Sequence, residues 1–385
     1  MDFAFTPEEE AFRTEVRAFL QEELRDRPAG ALEAWQFHRS FLKRLAARGW
    51  LTLAWPEEWG GQGAGHMKQL VYNEEVSFQD APANDLGSDR VGPTVMLYGT
   101  DEQKQRYLPP IVQAEEVWCQ GFSEPEAGSD LASLQTRAVR DGDDFIINGS
   151  KTWTSLAHFA DQMILLARTD PDAPKHKGIS YFLVDMKTPG ITVRPLVDML
   201  GGHRFNEVHF DDARVSRDCL LGELNRGWYV ATSTLDFERS GIQRVTGSMR
   251  NYEELLSYAR ETERNGRPVA RDPHVRHMLA DLKIDFEVGR NLAYRVAWMQ
   301  GQGLVPNYEA SVSKMFGSEL AQRLANAGVS IMGLAGQLAP GSPWAPLCGS
   351  FETLDLTASS LTVAAGTTEI QRNIIAGRGL GLPRD

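Results

Sequence analysis

The sequence has few cysteines, no long apolar segment and no excess of positive charge. Its three cysteines, Cys119, Cys219 and Cys348, are far apart and form no C-x-x-C pair, which argues against a zinc site or a disulfide framework. No apolar run approaches the roughly 20 residues that span a bilayer. The acidic start, Met1-Asp2-Phe3, is unlike a basic secretory or transit peptide. We therefore expect a soluble cytoplasmic protein.

The formal net charge of -12 excludes further classes of partner. Nucleic acid and anionic lipid are bound through basic patches, so neither partner is expected. An anionic cofactor remains compatible with this charge because it needs only local hydrogen-bond donors. The 385 residues are enough for a large core and for two or three domains.

Residues 1–116 have a helical pattern. Thr6-Pro7-Glu8-Glu9 combines an N-cap, a proline at the first helical position and a capping-box glutamate. Apolar residues then recur at helical spacing, and the same period returns at 35–48, 67–78 and 101–112. We predict an N-terminal all-α domain over 1–116.

Residues 117–224 have the short apolar segments and turns of an all-β module. Asp141-Gly142 predicts one hairpin turn, and Asn148-Gly149 predicts a second turn that leads into a strand over 151–154. The predicted strands are Thr136–Val139, Phe145–Ile147, Gln162–Ala167, Ile179–Asp185, Ile191–Pro195 and Asn206–Phe210.

The helical period returns over 225–385. No turn cluster interrupts 308–332 or 364–376, so we predict long helices in an antiparallel bundle. Two glycine-rich stretches, Gly61-x-Gly63-x-Gly65 and Gly377-x-Gly379-x-Gly381, lack the strand, helix and distal acidic residue of a dinucleotide fingerprint. A Rossmann site is therefore not expected.

The run Gly121-Phe122-Ser123-Glu124-Pro125-Glu126-Ala127-Gly128-Ser129-Asp130 is more specific. Its hydroxyls and backbone N–H groups suit a polar heterocycle or a phosphate, although an ordinary turn-rich connection would have the same composition. The residues alone leave these two readings equally open.

This run resembles the acyl-CoA dehydrogenase signature (S/T)-E-P-x-A-G-S-D. Four more segments resemble the same family in order and spacing, and together they cover nearly the whole chain. They are Tyr98 to Pro109, Ile147 to Trp153, Leu235 to Arg239 and Ala365 to Gln371. The resemblance implies an N-terminal helical domain, a middle β-barrel and a C-terminal four-helix bundle. It also implies FAD as the cofactor, an acyl-CoA substrate and an electron-transferring flavoprotein as the electron acceptor.

The resemblance further implies which residues contact the cofactor. Gln120, Phe122 and Ser123 would border the flavin pyrimidine ring, with Gly128 and Ser129 following toward the diphosphate and the substrate. The other implied cofactor contacts are Trp153 beside the ring, Ser155 at the ring edge, and Thr367 and Glu369. Without the resemblance, Trp153 would be read as a core aromatic residue on a strand.

The catalytic base of the family is displaced in this sequence. Most members place a glutamate immediately before the Gly-Thr pair, but this position is Ala365, whose methyl group cannot accept a proton. Another family branch places the base before a fixed arginine on a different helix, as Glu238 precedes Arg239 here. We predict Glu238 as the base and Asp236 as the alternative; a surface carboxylate is the competing reading of Glu238.

The predicted substrate contacts are Ser129, Arg239, Ala365 and Gly366. Ala365 keeps the backbone N–H that in the family helps to hold the thioester carbonyl. A base on the other helix is compatible by analogy with branched or bulky acyl groups, including steroid side chains. A non-catalytic subunit of a dehydrogenase complex and a flavin oxidase or monooxygenase are the alternative functions.

The resemblance is weaker where family members share a diphosphate site between subunits. The expected arginine is replaced by Thr262, and the usual Gly-Gly pair is Gly333-Leu334. Arg264 or Arg267 is a candidate replacement for that arginine, although simple solvation of both is an equal alternative. The partner could thus be a second copy of the chain or, as we hypothesise, a different but related chain.

Overall fold

The chain divides into two compact units that are each assembled from separate stretches of sequence. The computed structural model describes residues 4–28, 31–239 and 241–383, without the side chains at 31, 32 and 236–239. Unit 1 contains residues 1–27, 65–82 and 239–385, and unit 2 contains residues 28–64 and 83–238. These units are made of separate stretches of sequence, so they do not test the predicted domain boundaries at 116/117 and 224/225, which remain predictions.

Unit 1 is built from helices. Its helices and its small hairpin are α1 (Pro7–Glu23), α3 (His66–Phe78), α7 (Gln243–Glu261), β9 (Glu263–Arg264), β10 (Arg267–Pro268), α8 (Pro273–Gly301), α9 (Tyr308–Met332), α10 (Ser350–Leu361) and α11 (Thr368–Ile374). The capping box that the sequence predicts at Thr6 is present, with the Glu9 carboxylate and the Thr6 hydroxyl exchanging hydrogen bonds with the backbone. Helices α7 to α10 pack together, and their apolar faces bury a core that includes Phe286, Leu320 and Phe351.

A buried ionic network joins α1, α3 and α8 inside unit 1. Glu74 is 5% exposed and accepts hydrogen bonds from Arg13 at 2.7 Å, from Arg290 at 3.0 Å and from the Tyr294 hydroxyl at 2.8 Å. Burial alone would lower the pKa of Arg13, but Glu74 and Glu75 raise it above the ordinary range. The network therefore holds its charges inside the helical unit by mutual pairing.

Unit 2 combines helices with one mixed sheet. Its elements are α2 (Ala31–Ala47), α4 (Gly92–Tyr98), α5 (Asp101–Val112), β1 (Trp118–Gly121), β2 (Arg137–Asp141), β3 (Asp144–Lys151), β4 (Gln162–Arg168), β5 (Ile179–Asp185), β6 (Ile191–Leu196), β7 (Phe205–Ser216), β8 (Leu220–Leu221) and α6 (Gly227–Arg239). The strand order is β6-β7-β3-β2-β4-β5-β8, and β1 pairs with β4. Strands β4 and β5 are buried along almost their whole length, so the sheet is covered on both faces.

Three local predictions are wrong. Asn148-Gly149 is not a turn but part of β3, where Gly149 has a φ of 144° at a register shift between β3 and β7. The strand expected over 151–154 is therefore absent, since β3 ends at Lys151. The helix expected over 364–376 begins only at Thr368, because Ala365 and Gly366 both have positive φ angles, of 57° and 85°.

Candidate active site

The strand and loop 120–123 in unit 2 contain three of the predicted cofactor contacts. Gln120 lies in β1, and its side-chain oxygen is buried without a hydrogen-bond partner among the described residues. Phe122 is 3% exposed and packs edge-on against Tyr181, with ring centroids 5.9 Å apart. The Phe122 side chain thus belongs to the core, and only its backbone is available to a ligand. Ser123 is half-buried, and its carbonyl accepts the N–H of Thr152 at 2.9 Å.

The second half of this loop is open to solvent. Gly128 and Ser129 are both exposed. A Cβ atom built on Gly128 would meet no atom within 4 Å. This leaves room at Gly128 and Ser129 for a ligand to approach the backbone closely.

A buried ion pair holds the loop to the end of β3. Lys151 is fully buried, and its ammonium donates to Glu124 Oε1 at 2.7 Å and to the Phe122 carbonyl at 3.0 Å. The Glu124 carboxylate also accepts the backbone N–H groups of Gln135 at 2.6 Å and Thr136 at 2.9 Å. Burial lowers the pKa of Lys151 to about 8 even though Glu124 opposes the shift. Burial alone would raise the pKa of Glu124, but Lys151 and the backbone donors lower it, so the pair is charged at neutral pH.

Trp153 is held in an unusual conformation two residues after Lys151. Its φ angle is 58°, in the left-handed region, and 58% of its surface is exposed. Such a conformation costs a non-glycine residue roughly 1–2 kcal/mol and is maintained by the surrounding structure. The neighbouring Thr152 and Thr154 donate their N–H groups to Ser123 and Asn206. An exposed indole in a strained backbone is unlike the core aromatic that a strand would carry, and Ser155 beside it is exposed as well.

In unit 1, the loop before α11 contains the remaining predicted contacts that the structure describes. Buried Lys314 on α9 donates to the carbonyls of Leu361 at 3.1 Å and Gly366 at 2.8 Å. Buried Gln371 donates to the carbonyls of Ala365 and Gly366 at 3.3 and 3.2 Å. These hydrogen bonds to the carbonyl oxygens hold the backbone of Ala365 and Gly366 in its left-handed conformation.

Thr367 and Glu369 follow this loop. The Thr367 hydroxyl caps α11 by accepting the N–H of Ile370 at 3.2 Å. Glu369 is exposed, and hydrogen bonds from its own backbone N–H and from Thr367 lower its pKa. Glu369 therefore adds a negative charge in the first turn of α11.

Family models match three consecutive parts of the chain. They are the acyl-CoA dehydrogenase N-terminal domain over residues 6–115, the middle domain over 119–213 and the C-terminal domain over 225–380. The chain belongs to the acyl-CoA dehydrogenase family. It is accordingly an FAD-dependent oxidoreductase that dehydrogenates acyl-CoA, with the helical, β and helical domains that the sequence predicts.

Individual family members match over the full length. The acyl-CoA dehydrogenase IpdE1 of Mycobacterium tuberculosis is 38% identical over 389 residues, which cover 98% of each chain. The structure of the Tcur3481-Tcur3483 steroid ACAD is 36% identical with a TM-score of 0.89, covering 100% of both chains. A chain in the crystal structure of the ChsE4-ChsE5 complex from Mycobacterium tuberculosis is 35% identical with a TM-score of 0.91. The match covers 100% of this chain and 100% of that chain.

The residues of this acyl-CoA dehydrogenase fit the FAD cofactor. The buried Gln120 side-chain oxygen has no hydrogen-bond donor among the described residues. The flavin ring has an N–H group from which this oxygen can accept a hydrogen bond. The open surface at Gly128 and the exposed Trp153 indole leave space for a large planar group and its polar tail. When bound, FAD would supply the acceptor for the hydride that the substrate loses.

The predicted base lies on α6, but its side chain is outside the described residues, as are those of Asp236 and Arg239. The preceding turn of the helix is well anchored in unit 2. The Thr234 hydroxyl lies 3.0 Å from the Thr94 hydroxyl, and the Ser233 hydroxyl lies 2.7 Å from that of Tyr98. Position 238 follows Thr234 by four residues, hence by about one helical turn.

In unit 2, the hydrogen bond from the Thr152 N–H to the Ser123 carbonyl brings the 120–123 segment close to Trp153. The predicted contacts at 365–367 and 369 lie in unit 1. Sequence reasoning missed the three buried polar anchors of these loops, Glu124, Lys151 and Lys314. The first two were within recognised motifs, but no periodicity reports a buried lysine.

Three further expectations concern other ligands. The Arg264 guanidinium donates to the Ile331 carbonyl at 2.6 Å, so this candidate for a diphosphate contact is engaged at the end of α9. No group of three potential metal-binding side chains occurs within the described ranges. Among the helices that the structure describes, none is long and apolar enough to cross a membrane.

Proposed function

We propose that Glu238 removes the α-proton of a bulky or branched acyl-CoA thioester while the β-hydride leaves toward the flavin. The observation that carries this proposal is the geometry at Ala365. Its backbone occupies the family's base position in a left-handed turn, and its side chain is a methyl group that cannot accept a proton. The base would therefore lie at another position, and Glu238 on α6 precedes Arg239 as the base precedes an arginine in another branch of the family.

The roles of the other residues follow from their positions. The Ala365 and Gly366 backbone, held by Lys314 and Gln371, would present N–H groups to the thioester carbonyl and stabilise the negative charge that develops there. Ser129 and Arg239 would complete the substrate contacts. Ser123, Gly128, Ser155 and Thr367 would hold the cofactor, together with the residues already discussed.

We propose a branched, steroid-derived or similarly bulky acyl group as the substrate class. A neighbour that is 36% identical over its whole length is described as a steroid ACAD. A base on α6 instead of at position 365 is compatible with this class by analogy with other family members.

The same neighbours support a hetero-oligomer with a related chain, since one is described by two components and another as a ChsE4-ChsE5 complex. Thr262 and Leu334, which depart from the family pattern, agree with an altered subunit surface. Purifying the chain alone tests this proposal. A fully flavinylated and active homo-oligomer would refute it. An electron-transferring flavoprotein is proposed as the electron acceptor, and the cytoplasm as the location.

Anaerobic titration with a panel of acyl-CoAs tests the catalytic proposal. Flavin bleaching with formation of the α,β-unsaturated thioester is expected for bulky or branched substrates, using the purified holoprotein or its complex with the related chain. Failure of every acyl-CoA to bleach a fully flavinylated preparation would favour the non-catalytic subunit instead. Rapid reoxidation of the bleached flavin by oxygen would identify an oxidase.

A further inference from the structure

The strongest unexplained feature of unit 2 is the fully buried ammonium of Lys151. A lysine rarely loses all contact with water, because removing its charge from solvent costs several kcal/mol, by an order-of-magnitude estimate. Here the ammonium lies between two structural segments. It donates to the Phe122 carbonyl at 3.0 Å and to Glu124 Oε1 at 2.7 Å, and Glu124 in turn accepts from Gln135 and Thr136.

Stability alone does not account for this arrangement. Well-packed apolar residues can replace a buried ion pair at equal or better stability, whereas directed hydrogen bonds specify one geometry. The Lys151 ammonium and the adjacent Thr152 N–H fix the carbonyls of Phe122 and Ser123, at 3.0 and 2.9 Å. The next residue along is Trp153, whose φ of 58° requires such restraint.

We propose that Lys151 is a positioning residue for the flavin. Its ammonium fixes the 122–124 segment against the end of β3, so that Ser123 and Trp153, one from each strand end, are presented to the cofactor in one fixed relation. The inference rests on the proposed function, because it takes Ser123 and Trp153 as flavin contacts. Lys151 itself touches neither substrate nor reacting atoms in this account.

The test uses a holoprotein variant in which Lys151 is replaced. Lys151→Met alone would leave the buried Glu124 charge unpaired and could unfold the unit, so the informative variant is Lys151→Met with Glu124→Gln. It is compared with the native holoprotein, because Glu124→Gln alone would leave the buried Lys151 ammonium without its counter-charge. The readouts are the FAD dissociation constant, the visible flavin spectrum and the reduction potential. Thermal stability is measured in parallel.

The double variant is expected to bind FAD about tenfold more weakly than the native protein, which corresponds to about 1.4 kcal/mol, with a changed visible spectrum and a shifted potential. If its melting temperature falls while the dissociation constant, spectrum and potential equal those of the native protein, Lys151 is only structural and the inference is overturned. Lys187→Met, at a lysine whose side chain is 82% exposed, should change none of these quantities.

A further variant, Trp153→Phe, separates the inference from the function on which it rests. A changed flavin spectrum in Trp153→Phe, together with an unchanged one in the double variant, overturns the positioning role and leaves the flavin placement intact. An unchanged spectrum in Trp153→Phe overturns the placement of the flavin beside this indole, and the positioning role with it.

Discussion

Substituting Gly149 by alanine should lower the free energy of unfolding of unit 2 more than the same change at Gly142. Both glycines are in the β2–β3 region and have positive φ angles, 144° and 64°. A Cβ on Gly142 meets nothing within 4 Å, so only backbone strain of roughly 1–2 kcal/mol is expected. A Cβ on Gly149 would lie 2.7 Å from the Thr136 Cα and Oγ1, a clash that requires the backbone to move.

Overpacking of this kind adds about 1–3 kcal/mol to the strain, so Gly149→Ala should cost about 2–5 kcal/mol in total. The consequence should reach the cofactor site, because the Thr136 N–H is one of the groups bound to Glu124. Urea unfolding followed by far-UV circular dichroism measures the stability, and the flavin-to-protein absorbance ratio measures cofactor retention. Equal losses for Gly149→Ala and Gly142→Ala would refute the reasoning from the close approach to Thr136.

Three further predictions concern buried polar groups. Burial and Arg39 lower the pKa of His38 from 6.5 to about 4. Between these two pH values, the unfolded chain holds a proton on His38 that the folded chain does not. Stability should drop by about 3 kcal/mol over that range, and His38→Gln should remove this pH dependence of the urea midpoint; an unchanged slope would contradict it. Lys314→Met should expose the carbonyls of the 361–366 loop and accelerate amide exchange there, whereas unaltered exchange would show that the lysine is dispensable. Glu74→Gln should cost about 3–5 kcal/mol by leaving buried cations unpaired. Asp80→Asn, at an exposed ion pair, should cost less than about 1 kcal/mol, and similar urea midpoints for the two variants would argue against the buried network.

Strong local patterns predicted the elements of the fold well. The strand Ile179–Asp185 was expected from its apolar residues, and the helix over 308–332 from the helical period and the lack of a turn cluster. Both are found at those residues. The strand is a nearly continuous apolar run, and no turn cluster interrupts the helix, so tertiary contacts had little to change.

The errors occurred where distant contacts override local preference. Asn148-Gly149 has the residue types of a hairpin turn, but the approach of Thr136 and the pairing with β7 keep it in a strand. Ala365 is a good helix former, but Lys314, about 50 residues earlier in the chain, holds the adjacent Gly366 in a non-helical turn.

The candidate site was predicted mainly from motif resemblance, which identified residues but not what holds them. The Lys151 ammonium binds Glu124 across a separation of 27 residues, and no periodic pattern reports such a pair. The strain at Trp153 was equally invisible, because φ angles of non-glycine residues follow from the fold and not from residue type.

The identity of the base is the central claim, and single-turnover flavin reduction under anaerobic conditions tests it most directly. Glu238→Gln removes the proton acceptor with little change in size, and Asp236→Asn is the matched control on the same helix. With a substrate that bleaches the native holoprotein, Glu238→Gln should reduce flavin at least about 100-fold more slowly, and Asp236→Asn should stay near the native rate. A native rate in Glu238→Gln, or a collapse confined to Asp236→Asn, would contradict the assignment of Glu238.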